Sequence, residues 1–310
     1  MSLLAPLVGL VLVIAAVAVG LALGRGPRRP ALDLTGDSAP SPGLARLRAA
    51  ALWSRWTALG VGVLLVVLAS HLGGLGRGLM LAPAAFGGAQ VLGVLVADLV
   101  ARGAARTPGI AALEVRRVRD FVPRGPLRLV AVTAVALVAL LSWTVALGDP
   151  DDLGRAGRAL AYSCGAGCAG LRSPWPGSYY AVPLLAALAV VVLLAALALA
   201  ATVRRPRNGA DERIRRVDET VRRRAAESVL AGVGVAVAGS LCGVALVTAE
   251  LARQPDLPTS IALGGWLAMG AGVLGLTMLA WSGALLLVPG SAGSTSARPA
   301  TPVQPGRAKA

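Results

Sequence analysis

The chain has little of what enzymes use. Its 310 residues include one histidine, three cysteines, three tyrosines and two phenylalanines, and only 15% are charged. One histidine excludes any mechanism that needs two imidazoles. There is no GxxxxGKS or GxxxxGKT phosphate loop, no HExxH zinc helix, no GxSxG nucleophile elbow and no His/Cys cluster with metal-ligand spacing. The expectation is therefore a protein without a cofactor and without catalysis. A membrane enzyme working through carboxylates alone stays conceivable, with Asp98 as its one candidate in the bilayer.

What the chain has in abundance is apolar and small. Hydrophobic residues make up 56%, there are 39 glycines, and the mean hydropathy is +0.72. Crossing a hydrocarbon core of roughly 30 Å takes about 20 apolar helical residues. Seven stretches meet that length, at approximately 3–23, 57–75, 79–101, 129–147, 180–202, 228–249 and 262–288. In lipid their backbones can be satisfied only as helices. The expected fold is thus all-α, a polytopic transmembrane bundle of about seven spans.

Charge sets the orientation. Nothing basic precedes the first apolar run, whereas Arg25, Arg28 and Arg29 follow it, the reverse of a secretory signal. The first span then has its N-terminus outside and the chain ends inside. On that topology 25 Lys and Arg fall in cytoplasmic segments and 5 in outer ones, as the bias of basic residues toward cytoplasmic loops requires. The net charge of +15 is accounted for by arginines that orient helices and meet anionic head groups, so nucleic acid is not an expected partner.

The organisation follows. Residues 1–23 form the first span, and 24–56 a Pro/Gly/Ser-rich cytoplasmic linker with an interfacial lead-in bearing Trp53 and Trp56. Residues 57–290 form a six-helix membrane domain, with an outer loop at 148–179 and cytoplasmic loops at 102–128 and 203–227. Residues 291–310 form a low-complexity tail expected to be disordered in the cytoplasm. Both cytoplasmic loops carry basic amphipathic patterns. One lies at 110–122, where Arg116, Arg117 and Arg119 are expected to face lipid head groups; the other, at 211–226, is poised to run straight into the next span. "EVRRVRD" at 114–120 resembles "RIRRVDE" at 213–219, and Pro83 and Pro183 precede each loop at a similar offset. This raises a parallel repeat of the kind some transporters use.

Candidate sites are few. In the outer loop "AYSCGAGCAG" holds Cys164 and Cys168; outside the cytoplasm thiols oxidise, so a disulfide closing a small turn is expected. Two free thiols are the alternative; a redox pair lacks thioredoxin-type spacing and a zinc site lacks further ligands. "WPGSYY" offers Trp175, Tyr179 and Tyr180 as an aromatic belt, or as a ligand patch with Asp149, Asp151 and Asp152. Ionisable residues inside a bilayer are functional hypotheses by default. Asp98, one turn before Arg102, is expected to pair with it at i, i+4 spacing, and Gln90 to hydrogen-bond another helix. Together the two mark a candidate intramembrane polar site. His71 and Glu250 fall near outer helix ends, and Cys242 reads as a small apolar filler.

At "RGLMLAPAAFGGAQVLGVLVADL", "LEVRRVRDFVPR" and "WPGSYYAVPLL" the chain resembles the uncharacterised multi-pass integral membrane proteins of high-GC actinobacteria. The resemblance covers roughly residues 50 to 290. It implies a plasma-membrane location and carries no assigned activity. The expected role is non-enzymatic, exercised through anionic lipids or other membrane or cytoplasmic proteins. A small-solute or ion transporter with a site near Asp98 and Gln90 is the alternative.

Overall fold

The computed structural model describes residues 42–71, 74–104, 122–165, 168–204, 212–253 and 257–287, with side chains for 53–71, 74–100, 122–163, 169–204, 219–253 and 257–287. Six helices follow in chain order: α1 Pro42–His71, α2 Arg77–Ala104, α3 Arg124–Ala146, α4 Ser178–Arg204, α5 Glu212–Ala252 and α6 Thr259–Leu287. Each is long and apolar enough to cross a membrane. Six of the seven expected spans are thus described. The first, at 3–23, lies outside the described residues, as do 24–41, the tail and the basic stretch holding Arg116, Arg117 and Arg119.

Helix limits follow local chemistry. Proline at position 42 opens α1, where a missing N–H costs nothing. Extended Pro123 precedes α3. The lead-in before the second expected span is not separate but is the first part of α1. Likewise the basic stretch before the sixth expected span is continuous with it, so α5 runs 41 residues. At 1.5 Å per residue that is on the order of 60 Å, about twice the hydrocarbon thickness.

α5 is the axis of the bundle. Within its apolar window 83% of residues are buried, against 11% to 39% in the other helices. It packs against α2, α3, α4 and α6, while α1 rests mainly on α2. Its small residues allow this. A Cβ on Gly87 of α2 would fall on the Gly232 carbonyl of α5 and 2.7 Å from the Ala236 Cβ, and one on Gly275 of α6 would lie 3.0 Å from the Cys242 nitrogen. Backbones approaching this closely gain dispersion contacts where lipid offers no hydrophobic drive. Leu and Val side chains on the outer faces of α1, α3 and α4 are left exposed, as a lipid-facing surface requires.

The fold is mostly helical, with one small element of another kind. Between α3 and α4 a two-stranded antiparallel hairpin, β1 Leu160–Gly165 and β2 Cys168–Arg172, belongs to a folded cap over one end of the bundle. Its core joins Leu160 and Trp175 to Ala252 and Leu257, with Trp143 and Ile261 packed against them.

The two halves of the proposed repeat pack differently. α4 contacts α5 directly, whereas α2 and α3 make at most marginal contact.

Candidate functional site

Two polar clusters stand out, one at each end of the bundle. The first organises the cap. The run from Gly148 to Gly157 turns on itself, with Asp149 and Ala159 exchanging backbone hydrogen bonds of 2.7 and 3.0 Å. Inside the turn the Asp151 carboxylate accepts from the Leu153 amide at 3.1 Å, the Arg155 amide at 2.9 Å, Arg155 Nε at 2.7 Å and Arg158 Nη1 at 2.6 Å. Burial alone would push this carboxyl up, but the hydrogen bonds from Arg158, Arg155 and Leu153 outweigh it and hold the group well below the usual carboxylate range. The same contact raises the Arg158 guanidinium above its ordinary value.

The cap is then fastened to the helices. Gly157 has φ +69°, and a Cβ there would lie 2.6 Å from the Ser178 nitrogen, so only glycine lets the turn reach the start of α4. Trp175 is 0% exposed; its Nε1 donates to the Thr144 carbonyl at 2.7 Å, and the Thr144 hydroxyl donates to the Pro176 carbonyl at 2.8 Å. Its ring meets Trp143 edge-on, centroids 5.9 Å apart. Tyr180 is also buried, and its hydroxyl donates to the Leu75 carbonyl in the α1–α2 turn at 2.7 Å. Trp175 is therefore cap core and not part of an exposed aromatic belt, and Tyr180 ties the start of α4 to the α1–α2 turn. Tyr179 lies half-buried beneath Arg77. Asp149 accepts from the Ala161 amide at 3.1 Å, so two of the three aspartates build the fold and only Asp152 is exposed.

The expected disulfide is not supported. No cysteine pair lies at disulfide distance, and the side chains of Cys164 and Cys168 fall outside those described. Along the hairpin Cys168 pairs with Gly165, and the ladder is irregular between Ser163 and Gly165. Cys242 is a free thiol buried in α5.

The second cluster lies at the opposite end of the spans. Asp98 of α2 is 4% exposed and Arg222 of α5 is 1% exposed. Thr202 of α4 joins them: its hydroxyl donates to Asp98 Oδ2, while its carbonyl accepts from Arg222 Nη1 at 3.0 Å. The same nitrogen reaches the Val203 carbonyl at 3.4 Å. Arg222 thus sits on the last turn of α4, where unpaired carbonyls and the helix dipole favour a cation. Arg102, the expected partner of Asp98, lies among the residues whose side chains are not described. One turn along α5, Arg223 and Glu227 pair at 3.7 Å.

Gln90 is elsewhere. Its Nε2 donates to the Ala58 carbonyl of α1 at 3.0 Å, whereas Asp98 accepts from Thr202 of α4. Arg55 of α1 donates to the last carbonyls of α6, Leu286 and Leu287. His71 is exposed at the end of α1, and Glu250 lies 3.9 Å from Arg253. The sequence pointed to Asp98 but not to Arg222, which reads as one of several arginines in a solvated helix.

Fold and clusters define a class: a helical bundle of membrane-spanning type with one end closed by a folded cap and charged groups buried at the other. No family model, curated protein or solved structure matches the chain.

Proposed function

We propose that the chain is a multi-pass plasma-membrane protein, N-terminus outside and C-terminus inside, that works without catalysis as a membrane-anchored binding platform. Its working surface is the arginine-rich end of α5, held at the cytoplasmic face by anionic head groups and presented to an acidic partner protein. The cap is the outer face. The basic residues divide accordingly, with Arg204, Arg222, Arg223 and Arg224 at the end opposite the cap, as the cytoplasmic bias of Lys and Arg predicts.

The observation that carries the reading is how the interior polar groups are used. Gln90 bonds the Ala58 carbonyl, and the hydroxyls of Thr133, Ser240, Thr248 and Thr277 each bond the carbonyl four residues back. These groups serve packing and present no row of open ligands. α5 meanwhile extends well beyond the bilayer thickness and carries charges of both signs. A photo-crosslinking residue at position 224, compared with one at lipid-facing Val135, should capture a specific protein in intact cells. Capture of lipid and ribosomal background alone would sink this reading.

Transport of a small solute or ion is the second reading, favoured by the buried charges Asp98 and Arg222. Asp98→Asn would then abolish or alter a flux measured in proteoliposomes. The Thr202 hydroxyl that donates to Asp98 weighs against it, because it occupies an oxygen of the carboxylate a cation would need.

A further inference from the structure

We infer that Arg55 holds an anionic phospholipid head group at the cytoplasmic end of the bundle, where α1 meets the end of α6. The inference rests on the reading of the chain as a membrane protein with its cap outside, and it adds a lipid site away from α5.

The reasoning begins with an unbalanced charge. Arg55 reaches from α1 to α6, two helices in at most marginal contact, and donates through Nη2 to the Leu286 carbonyl and, at 2.6 Å, to the Leu287 carbonyl. These carbonyls end α6, where the helix dipole favours a cation. That bond uses only Nη2. Nε is buried without a hydrogen-bond partner, while Nη1 makes no bond among the described residues and is not buried. The guanidinium keeps its full charge. No carboxylate pairs with it among the described residues, and the sequence gives the reason, since no Asp or Glu occurs from 38 to 97 or from 257 to 310. Neither α1 nor α6 can supply the counter-charge.

The depth suits a head group. α6 starts under the cap at Thr259 and finishes at Leu287, so Arg55 lies at the end opposite the cap. Trp53 and Trp56 flank it, 71% and 64% exposed, and indoles in such positions settle at head-group level. Phosphate is the natural partner of a guanidinium there. Phosphatidylcholine brings its own cation, so a lipid of net negative charge is the matching occupant.

The test uses the full chain with Trp266→Phe, in which Trp53 and Trp56 are the exposed tryptophans that remain among the described residues. It is placed in nanodiscs of phosphatidylcholine with a minor share of phosphatidylglycerol. Bromine on the acyl chains of one lipid or the other quenches the two indoles, and the ratio of quenching, corrected for mole fraction, reads which lipid lies beside them. Arg55→Gln should lower the parent's preference for phosphatidylglycerol about fivefold. Arg55→Lys, which keeps the charge, should retain the preference. Arg128→Gln, which removes a charge from an exposed position near the start of α3, should leave it unchanged, and so should millimolar inorganic phosphate.

An unchanged ratio in Arg55→Gln would overturn the inference. So would results that do not need that variant to accumulate. A parent ratio near one would show that no anionic lipid is held, and loss of preference in Arg55→Lys would show that the hold on α6 sets it instead of the charge. Loss in Arg128→Gln would trace the preference to the diffuse field of the basic surface, and loss on adding inorganic phosphate would make the free anion the occupant. The quenching needs no partner protein, so it is decided separately from the crosslinking experiment.

Discussion

Replacing Gly87 by alanine adds one methyl group, yet it should separate two helices. The new Cβ would land on the Gly232 carbonyl, 2.7 Å from the Ala236 Cβ and 2.9 Å from the Ala236 nitrogen. Ordinary van der Waals contact begins near 3.5 Å, and the obstructing atoms are backbone or Cβ with no rotamer to change. α2 must therefore move off α5 by something approaching an ångström along that contact. Overpacking of this kind costs about 1–3 kcal/mol, or roughly a 5- to 150-fold loss in the folded ratio. The internal control is Gly243→Ala on α5, where a Cβ meets nothing within 4 Å. There the same methyl should stabilise the helix by up to about 1 kcal/mol. Thermal unfolding of both variants in one detergent, followed by helical circular dichroism, gives shifts of opposite sign. A Gly87→Ala protein as stable as Gly243→Ala would refute the close α2–α5 approach and, with it, the placement of α5 as the axis.

Three further outcomes are expected. The folded-state value of Asp151 lies below its unfolded value, so its contribution to cap stability is present above about pH 4 and is lost only as pH falls through the depressed folded value. Trp fluorescence of the cap should therefore hold between pH 5 and 8, and Asp151→Asn should destabilise the cap equally across that window; a wild-type transition near pH 6 would contradict the cluster. Gln90→Leu should loosen α1 by about 0.5–2 kcal/mol, seen as faster hydrogen exchange in 53–71 with α5 unchanged, and uniform exchange would show that Gln90 does not hold α1. Leu153, 72% exposed at the tip of the cap, changed to Cys in a background free of other cysteines, should react with an impermeant thiol reagent in intact cells, whereas Arg224→Cys should react only after permeabilisation. The reverse pattern would invert the topology.

What could be read from the sequence was whatever depends on runs and periods. Apolar length located the six described helices, with most limits within about five residues, although α1 and α5 begin well before their apolar runs, and the basic amphipathic pattern at 211–226 anticipated that α5 runs unbroken from its basic stretch into its apolar one. The cap was another matter. Its Asp151, Arg155 and Arg158 repeat at i, i+4 and i+7, a helical spacing in a glycine-rich segment that cannot be a helix, and nothing local shows that they converge on one carboxylate. Trp175 was misplaced for a related reason. A tryptophan beside a span is usually at the interface, and only Leu160 together with Ala252 and Leu257 from the distant α5–α6 turn makes its site a core. Cys164 and Cys168 suggested a disulfide because thiols in an outer loop are expected to oxidise, and compartment chemistry says nothing of the distance between two side chains. Arg222 was hidden among neighbours of its own kind.

α4 differs from its neighbours in how it is placed, and the difference is testable. In lipid, apolar surface alone does not tell a helix where to stop sliding along another. α2, α5 and α6 solve this with glycines that seat one backbone on the next. α4 has no glycine between Ser178 and Arg204, and its leucines and alanines would fit in several registers. Its ends supply what its middle lacks. Near the start the Tyr180 hydroxyl binds the α1–α2 turn, and at the finish Thr202 and the last carbonyls are held by Asp98 and Arg222. Tyr180→Phe and Thr202→Val each delete one hydroxyl and should each cost about 0.5–1.5 kcal/mol. Leu193→Ala, at a lipid-exposed position in mid-helix, deletes far more apolar surface yet should stay within about 0.5 kcal/mol. If the leucine change proves the most damaging of the three in a detergent melt, α4 is positioned by its apolar face after all, and the polar ties at its ends follow from its register instead of setting it.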